Sequence, residues 1–204
     1  GDGAILRENG FGGRGYDRFT DVAATDGGYV FLGHSQPPGQ DKRRVFLVKT
    51  DLDGLPLWER VHDAPESWAA LYIESAPGGG FIVAGGTTVG DDGDMFAMKV
   101  DADGREMWRK RVGTPQWDEV NHGLVVRPDG SILLAGYAHR RGEETNDLVA
   151  ATLSANGEVQ RIERSGGQGE DRTILAKADS VGRVWIVGHT ASAGRGGVDL
   201  LLAR

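Results

Sequence analysis

The sequence contains no cysteine, so a disulfide framework, a thiolate metal site and a cysteine nucleophile are all excluded. Basic residues are fewer than acids, with 23 Lys and Arg against 30 Asp and Glu and a net charge of -7. Because nucleic-acid affinity depends on clustered Lys and Arg that displace counterions, no nucleic-acid partner is expected. Apolar runs stay well short of the roughly 18 residues of a membrane span, and the first residues show no signal peptide. Membrane insertion is therefore not predicted.

Glycine, by contrast, is abundant, with 33 of 204 residues, and it marks an internal repeat. The segment from Gly27 to Gly33 recurs at residues 79–85, 130–136 and 182–188. A second block, ending in Asp-x-Asp-Gly or Ala-Asn-Gly, follows at residues 45–54, 95–104 and 148–157. A repeat of about 51 residues that covers the whole chain predicts one domain, residues 1–204, made of four copies.

Each copy is predicted to form four strands, named a to d. Gly-containing turns such as Asp26-Gly27-Gly28 supply the positive φ that a tight hairpin requires. Strands b and c are apolar at nearly every position, which indicates sheets covered on both faces, as in the blades of a β-propeller. Copy four ends before its strand d, whereas residues 2–8 have the pattern of a turn followed by a strand d. We therefore expect an all-β, four-bladed β-propeller with four strands per blade, closed by the N-terminal strand, which completes the last blade.

A family resemblance follows from these blocks. Asp-Gly-Gly-Tyr-Val-x-x-Gly at residues 26–33, then Lys-Thr-Asp-x-Asp-Gly at 49–54, then Trp58 or Trp108, resembles the tandem β-propeller repeats of many secreted bacterial and archaeal proteins. The resemblance implies the fold and an extracytoplasmic location, periplasmic or secreted, with any signal peptide already removed. Such repeats serve varied binding roles, so no catalytic residue is implied. We expect a monomer; a two-chain, eight-bladed ring and a fragment of a longer propeller remain alternatives.

The b–c and d–a connections are long and differ between copies, while the other turns are short and alike, so the face that carries the long connections is the predicted binding face. Aromatic residues near the d–a connection and residues after the repeat glycine are its candidate anchors, together with charged loop residues. An aromatic at a repeating position could instead wedge adjacent blades together. The predicted binding residues are Tyr16, Trp68, Trp117, His34, Tyr137, His189, Arg43, Arg44, Asp92 and Arg140.

These features favour a non-catalytic module for protein–protein recognition, such as an inhibitor or immunity-type partner. A lectin-like propeller that binds glycans is one alternative, and a polysaccharide hydrolase or lyase at the channel mouth is another, with Glu74 and His122 on inner strands within reach of the channel. No cofactor is predicted. Calcium stays open because Asp91, Asp92 and Asp94 are clustered, although Asp51 and Asp101 stand where the repeat needs hairpin turns. A metal shared by His34 and His189 lacks a third ligand.

Overall fold

The computed structural model describes residues 7–204 except residues 65, 90, 91, 141 and 144, and it describes residues 89 and 92 without their side chains. This part of the chain folds into β-strands joined by turns and loops. None of its residues forms a helix long and apolar enough to cross a membrane. The strands are β1 (Tyr16–Thr25), β2 (Gly28–Gln36), β3 (Arg44–Thr50), β4 (Pro56–His62), β5 (Ser67–Ser75), β6 (Phe81–Val89), β7 (Asp92–Val100), β8 (Glu106–Val112), β9 (Trp117–Val126), β10 (Ile132–Arg140), β11 (Asn146–Leu153), β12 (Val159–Ser165), β13 (Asp171–Ala178), β14 (Val184–Thr190) and β15 (Asp199–Ala203).

The four sequence repeats form four separate antiparallel sheets, each an up-and-down meander. The first sheet has the order β1-β2-β3-β4, the second β5-β6-β7-β8, the third β9-β10-β11-β12 and the fourth β13-β14-β15. The c–d turns are built as the sequence predicts: Asp51 Oδ1 accepts from the backbone N–H groups of Asp53 and Leu55 at 2.9 and 2.8 Å. Gly54 follows with φ of 78°, which glycine adopts without strain. Asp101 makes the same two bonds in the second copy, so both Asp-x-Asp-Gly segments are structural turns.

The first strand of every sheet carries a β-bulge beside the repeat glycine. In the second sheet, Ala70 pairs with Gly85 and Tyr72 with Ala84, which leaves Leu71 as the extra residue. A Cβ on Gly85 would overlap the carbonyl oxygen of Ala69, and the other repeat glycines, Gly33, Gly136 and Gly188, meet an equivalent carbonyl. The bulge brings backbone against backbone, so the position requires glycine.

The sheets pack face to face in chain order. We call the face of a sheet that meets the next sheet its forward face, and the face that meets the preceding sheet its backward face. Three apolar cores fill the interfaces: one contains Leu47 and Val83 between the first and second sheets, one contains Ala84 and Leu134 between the second and third, and a smaller one contains Ala135 between the third and fourth.

The prediction of a closed four-bladed ring is wrong. In the part of the chain that the structure describes, substantial contacts join β1 to β5, β7 to β9 and β9 to β13, and none of this extent joins the first sheet to the fourth. The fourth sheet has three described strands. Residues 1–6, which contain most of the strand predicted to complete it, lie outside the described residues, and Asn9 Nδ2 donates to the Gly54 carbonyl of the first sheet at 2.9 Å. Three inter-sheet steps do not return the fourth sheet to the first, so their outer faces do not meet.

Candidate functional site

Two buried acids face each other between the second and third sheets, at the end of the molecule that carries the b–c and d–a connections. Asp94 lies in β7 and Glu119 in β9, and both side chains are almost fully removed from solvent. A Cβ on Gly113 would overlap Asp94 Oδ1 and lie 2.7 Å from Glu119 Oε2. The two carboxyl groups therefore lie close together, and Gly113 leaves the space for them. We call Asp94 and Glu119 the carboxyl pair.

Each member of the carboxyl pair has its own guanidinium. Arg111 Nε bonds to Asp94 Oδ2 and Arg164 Nη2 bonds to Glu119 Oε1. Thr114 joins this network, because its Oγ1 donates to Glu119 Oε1 at 3.2 Å and accepts from Arg164 at 2.8 Å. Charge-assisted bonds of this kind are stronger than neutral ones and hold the acids in one geometry.

Burial is the largest influence on Glu119, and it raises the pKa of this carboxyl to about 7. Donation of the Glu119 proton to Asp94 also contributes to this raised pKa, whereas the bond to Arg164 and the charge of Arg164 oppose it. Two adjacent carboxyls in a low-dielectric site resist losing both protons. At neutral pH the carboxyl pair therefore holds one proton between two acids for part of the time.

The carboxyl pair borders an open pocket of about 280 Å³, lined by Asp94, Arg111, Gly113, Thr114 and Pro115. Asp94 reaches the pocket wall, and Glu119 lies behind it. The pocket thus presents a proton donor or acceptor, a cation and the Thr114 side chain to a ligand.

The repeat provides an internal comparison for this site. At the next interface, Asp147 occupies the position of Asp94, and Asp171 occupies the position of Glu119. The strand pairing shows this, because Asp147 and Glu119 both pair with Ala138, and Asp171 pairs with Thr190. Burial tends to raise the pKa of Asp171, but hydrogen bonds from Ser192, Thr190 and Gly167 outweigh it, and the pKa is lowered. At the first interface the same positions hold Arg44 and Trp68. Among these three interfaces, a carboxyl with a pKa near neutrality occurs at the second.

The aromatic residues predicted near the d–a connection, Tyr16, Trp68 and Trp117, lie at the beginning of β1, β5 and β9 and not in loops. Trp68 is 2% exposed and belongs to the first core, with its ring 4.2 Å from that of Phe96. Trp117 packs against the second core, with Cζ of Arg164 4.6 Å above its ring. The wedge interpretation is therefore correct for both tryptophans.

The other predicted binding residues are spread over all four sheets and are not brought together. Exposed Tyr16 stacks on buried His34 at 6.0 Å between ring centres. Tyr137 stacks on His122 at 5.1 Å, at the third interface. The Arg43 carbonyl accepts from the Trp68 backbone N–H at 2.9 Å, while the Arg43 side chain is exposed. Arg44 bonds to Asp63 at 3.1 Å, Arg140 is exposed, His189 lies in β14, and Asp92 lies in β7 with its side chain outside the described part of the chain.

The residues considered for a channel site or a metal site do not form such a site among the described residues. Glu74 Oε2 accepts from the Val126 N–H at 2.8 Å, which ties β5 to β9. His34 and His189 belong to the first and fourth sheets, which do not adjoin, so the proposed shared metal site is not formed. In the described residues, no group of three or more His, Asp or Glu side chains is arranged to hold a metal ion.

Glu119 was not among the residues that the sequence singled out, and Asp94 entered only as a loop charge and as one of three clustered acids considered for calcium. A signal was present. An acid occupies the same position near the start of strand a in three copies, as Asp17, Glu119 and Asp171, and in copy three it is the longer Glu. These acids cap the preceding turn: Asp17 accepts from Gly13 N at 2.8 Å and Glu119 from Thr114 N at 3.4 Å.

No protein-family model matches the chain, and no curated protein matches its sequence. Its fold is similar to that of the crystal structure of an endo-arabinase from Bacteroides thetaiotaomicron, with a TM-score of 0.54 and 15% identity over 90% of this chain and 74% of that chain. This likeness overturns the prediction of a non-catalytic protein-binding module, and with it the expectation that the chain is not an enzyme, because the protein of similar fold is an endo-arabinase.

Proposed function

We propose that this chain is a polysaccharide-acting hydrolase whose catalytic unit is the carboxyl pair. The observation that carries the proposal is a buried acid with a pKa raised to about 7 and hydrogen-bonded to a second acid, which lines an open pocket. The similarity in fold to an endo-arabinase supports glycosidic bonds as the target. Strongly shifted carboxyls that border a cleft are candidates for acid–base catalysis.

Glycoside hydrolysis needs a protonated acid at the leaving oxygen and a base for the attacking water. Asp94 Oδ1 and Glu119 Oε2 both crowd the Cβ position of Gly113, the second at 2.7 Å, so the two oxygens are nearer than the roughly 5 Å or more that separates two acids placed on opposite sides of a sugar. They therefore act together from one side. Glu119 holds the proton and passes it through Asp94, which lines the pocket, to the glycosidic oxygen as the carbon–oxygen bond breaks. Water adds to the anomeric carbon, and the proton released by that water returns to Glu119.

In this scheme Asp94 is the catalytic residue, because it lines the pocket, and Glu119 acts through Asp94 as the group that stores the proton. The reaction requires one proton on the carboxyl pair. We expect activity to fall as the pH rises through about 7, where Glu119 loses its proton.

The first test measures the release of reducing ends from a panel of polysaccharides, beginning with arabinan. Asp94→Asn should lower the rate at least about 100-fold, a typical effect of removing an acid–base group. The matched control is Asp147→Asn, which changes the repeat-equivalent acid and should leave the rate within about twofold. No reducing ends from any substrate, or equal losses in both variants, would refute the proposal.

The second test separates the role assigned to Glu119 from a merely structural one. Glu119→Gln removes the titrating group but keeps the shape of the side chain. We expect a lower rate together with loss of the alkaline fall near pH 7, whereas a variant that only loosens the fold would keep the pH profile. Saturable binding of a glycan without cleavage would instead favour the lectin alternative.

A further inference from the structure

The outer faces of the two end sheets carry exposed apolar side chains, and among the described residues no further sheet packs on either face. On the forward face of the fourth sheet, Leu202 pairs with Val187 and Leu200 pairs with His189. Leu200 is 95% exposed and Leu202 is 65% exposed. Leucines exposed to this extent on the flat face of a sheet indicate a surface that contacts another chain or segment.

The repeat shows what these positions normally do. Leu202 occupies the position that Leu47 holds in the first sheet and Ala97 holds in the second. Leu202 pairs with Val187, Leu47 with Leu32 and Ala97 with Ala84. Leu47 and Ala97 are fully buried and belong to the cores that join their sheets to the next one. The forward face of the fourth sheet is therefore built as one half of an inter-sheet interface.

The backward face of the first sheet is the matching half. Val22, Tyr29 and Phe31 stand where the second sheet has Ile73, Phe81 and Val83. The second-sheet residues are buried in the first core, whereas Val22 is 48% exposed and Tyr29 38% exposed. With Phe11 and Phe19, the two aromatics line a pocket of about 700 Å³.

We propose that these two faces bind each other between two copies of the chain, with the fourth sheet of one copy packing on the first sheet of the other. Within the chain, the forward face of each of the first three sheets packs on the backward face of the next sheet. A second copy offers a backward face of this kind to the fourth sheet. Two head-to-tail contacts in a closed dimer cover all four end faces, whereas a single contact would leave two exposed. The interaction does not depend on the proposed hydrolase activity.

The test is the molar mass in solution, measured by light scattering over a range of concentrations. The wild-type chain should have twice the monomer mass. Leu202→Asp damages one face and Val22→Asp the other, so each variant alone should retain no intact closed dimer and should shift toward the monomer. An equimolar mixture of the two variants still has one undamaged pairing, and it should form a mixed dimer that neither variant forms alone.

Leu57→Asp is the matched control, because Leu57 is 58% exposed on β4, away from both end faces, and its mass should equal that of the wild type. Circular dichroism confirms that each variant is folded. A wild-type chain that stays monomeric at the highest concentration would overturn the proposal. So would dissociation by Leu202→Asp with no effect of Val22→Asp, which would mean that two fourth sheets meet instead.

Discussion

At the scale of single residues, one methylene separates Glu119 from its repeat equivalents Asp17 and Asp171. Asp17 caps the turn before its strand, and the pKa of Asp171 is lowered. The longer Glu119 also bonds to the Thr114 backbone, and in addition it contacts Asp94 across the interface. The longer side chain of Glu119 therefore lets an acid that caps a turn also approach a second acid across the interface.

The raised pKa of Glu119 predicts a stability difference that depends on pH. An acid whose folded-state pKa lies above its unfolded value stabilises the fold at low pH, and that contribution is lost as the pH rises through the folded pKa. For Glu119 the window runs from its ordinary value of 4.5 to about 7. Urea unfolding of the wild type and of Glu119→Gln should show the wild type losing on the order of 1 to 3 kcal/mol relative to the variant across this window.

Asp171→Asn is the control of opposite sign. Hydrogen bonds lower the pKa of Asp171, so its contribution is present above its unfolded pKa and is lost as the pH falls through the lower folded pKa. The stability gap between wild type and Asp171→Asn should therefore narrow at acidic pH. If Glu119→Gln tracks the wild type at every pH from 4.5 to 7, the carboxyl pair does not share a proton.

At the scale of elements, the strands and tight turns could be predicted because their signals are local. Asp51 and Gly54 define a turn by side-chain capping and positive φ, and the structure places both as expected. The bulge in each first strand has no comparable local signal, since Leu71 is an ordinary strand residue. The sequence places Trp68 only near the d–a connection, whereas it lies in β5 and belongs to the first core.

The bulge explains the repeat glycine, and it predicts opposite outcomes at two adjacent residues of β6. An alanine at Gly85 would overlap the Ala69 carbonyl, whereas at Gly86 the nearest atom to a new Cβ is 3.8 Å away. Gly85→Ala should lower the free energy of unfolding by at least about 2 kcal/mol, through strain in the bulge. Gly86→Ala should be neutral or stabilise by up to about 1 kcal/mol, because glycine is unfavourable inside a strand.

Chemical denaturation of the two variants measures both effects under the same conditions. Equal stability of Gly85→Ala and Gly86→Ala would show that the bulge relaxes around a methyl group. The repeat glycine would then need another explanation.

At the scale of the whole molecule, the number of sheets follows from the sequence but their closure does not. Periodicity counts the copies, and the four copies do form four sheets. Closure depends on the angle between adjacent sheets, which is set by many small packing contacts across each interface, and no residue type reports it. For the same reason the sequence could not show that Asp94 and Glu119, 25 positions apart, meet across an interface between two sheets.

An open row of sheets should be less stable at its ends than in its interior, because each interior sheet is covered on both faces and each end sheet on one. Strands β6 and β14 provide a matched comparison, since both lie between two hydrogen-bonded neighbours in their sheets. Both faces of β6 pack into cores, through Phe81 and Val83 on one side and Ile82 and Ala84 on the other. On β14, Ile186 and Val184 face the small third core, while Val187 lies on the bare forward face.

We therefore expect amide hydrogens of β14 to exchange at least about tenfold faster than those of β6 in dilute protein, since local opening needs less free energy where fewer apolar groups are buried. Raising the protein concentration should slow exchange in β14 and leave β6 unchanged, because a head-to-tail contact would cover the forward face of the fourth sheet. The Leu202→Asp variant should lose this dependence on concentration. Equal protection of β14 and β6 in dilute protein would contradict this prediction. It would mean that local opening of the fourth sheet needs as much free energy as local opening of the second, despite its uncovered face.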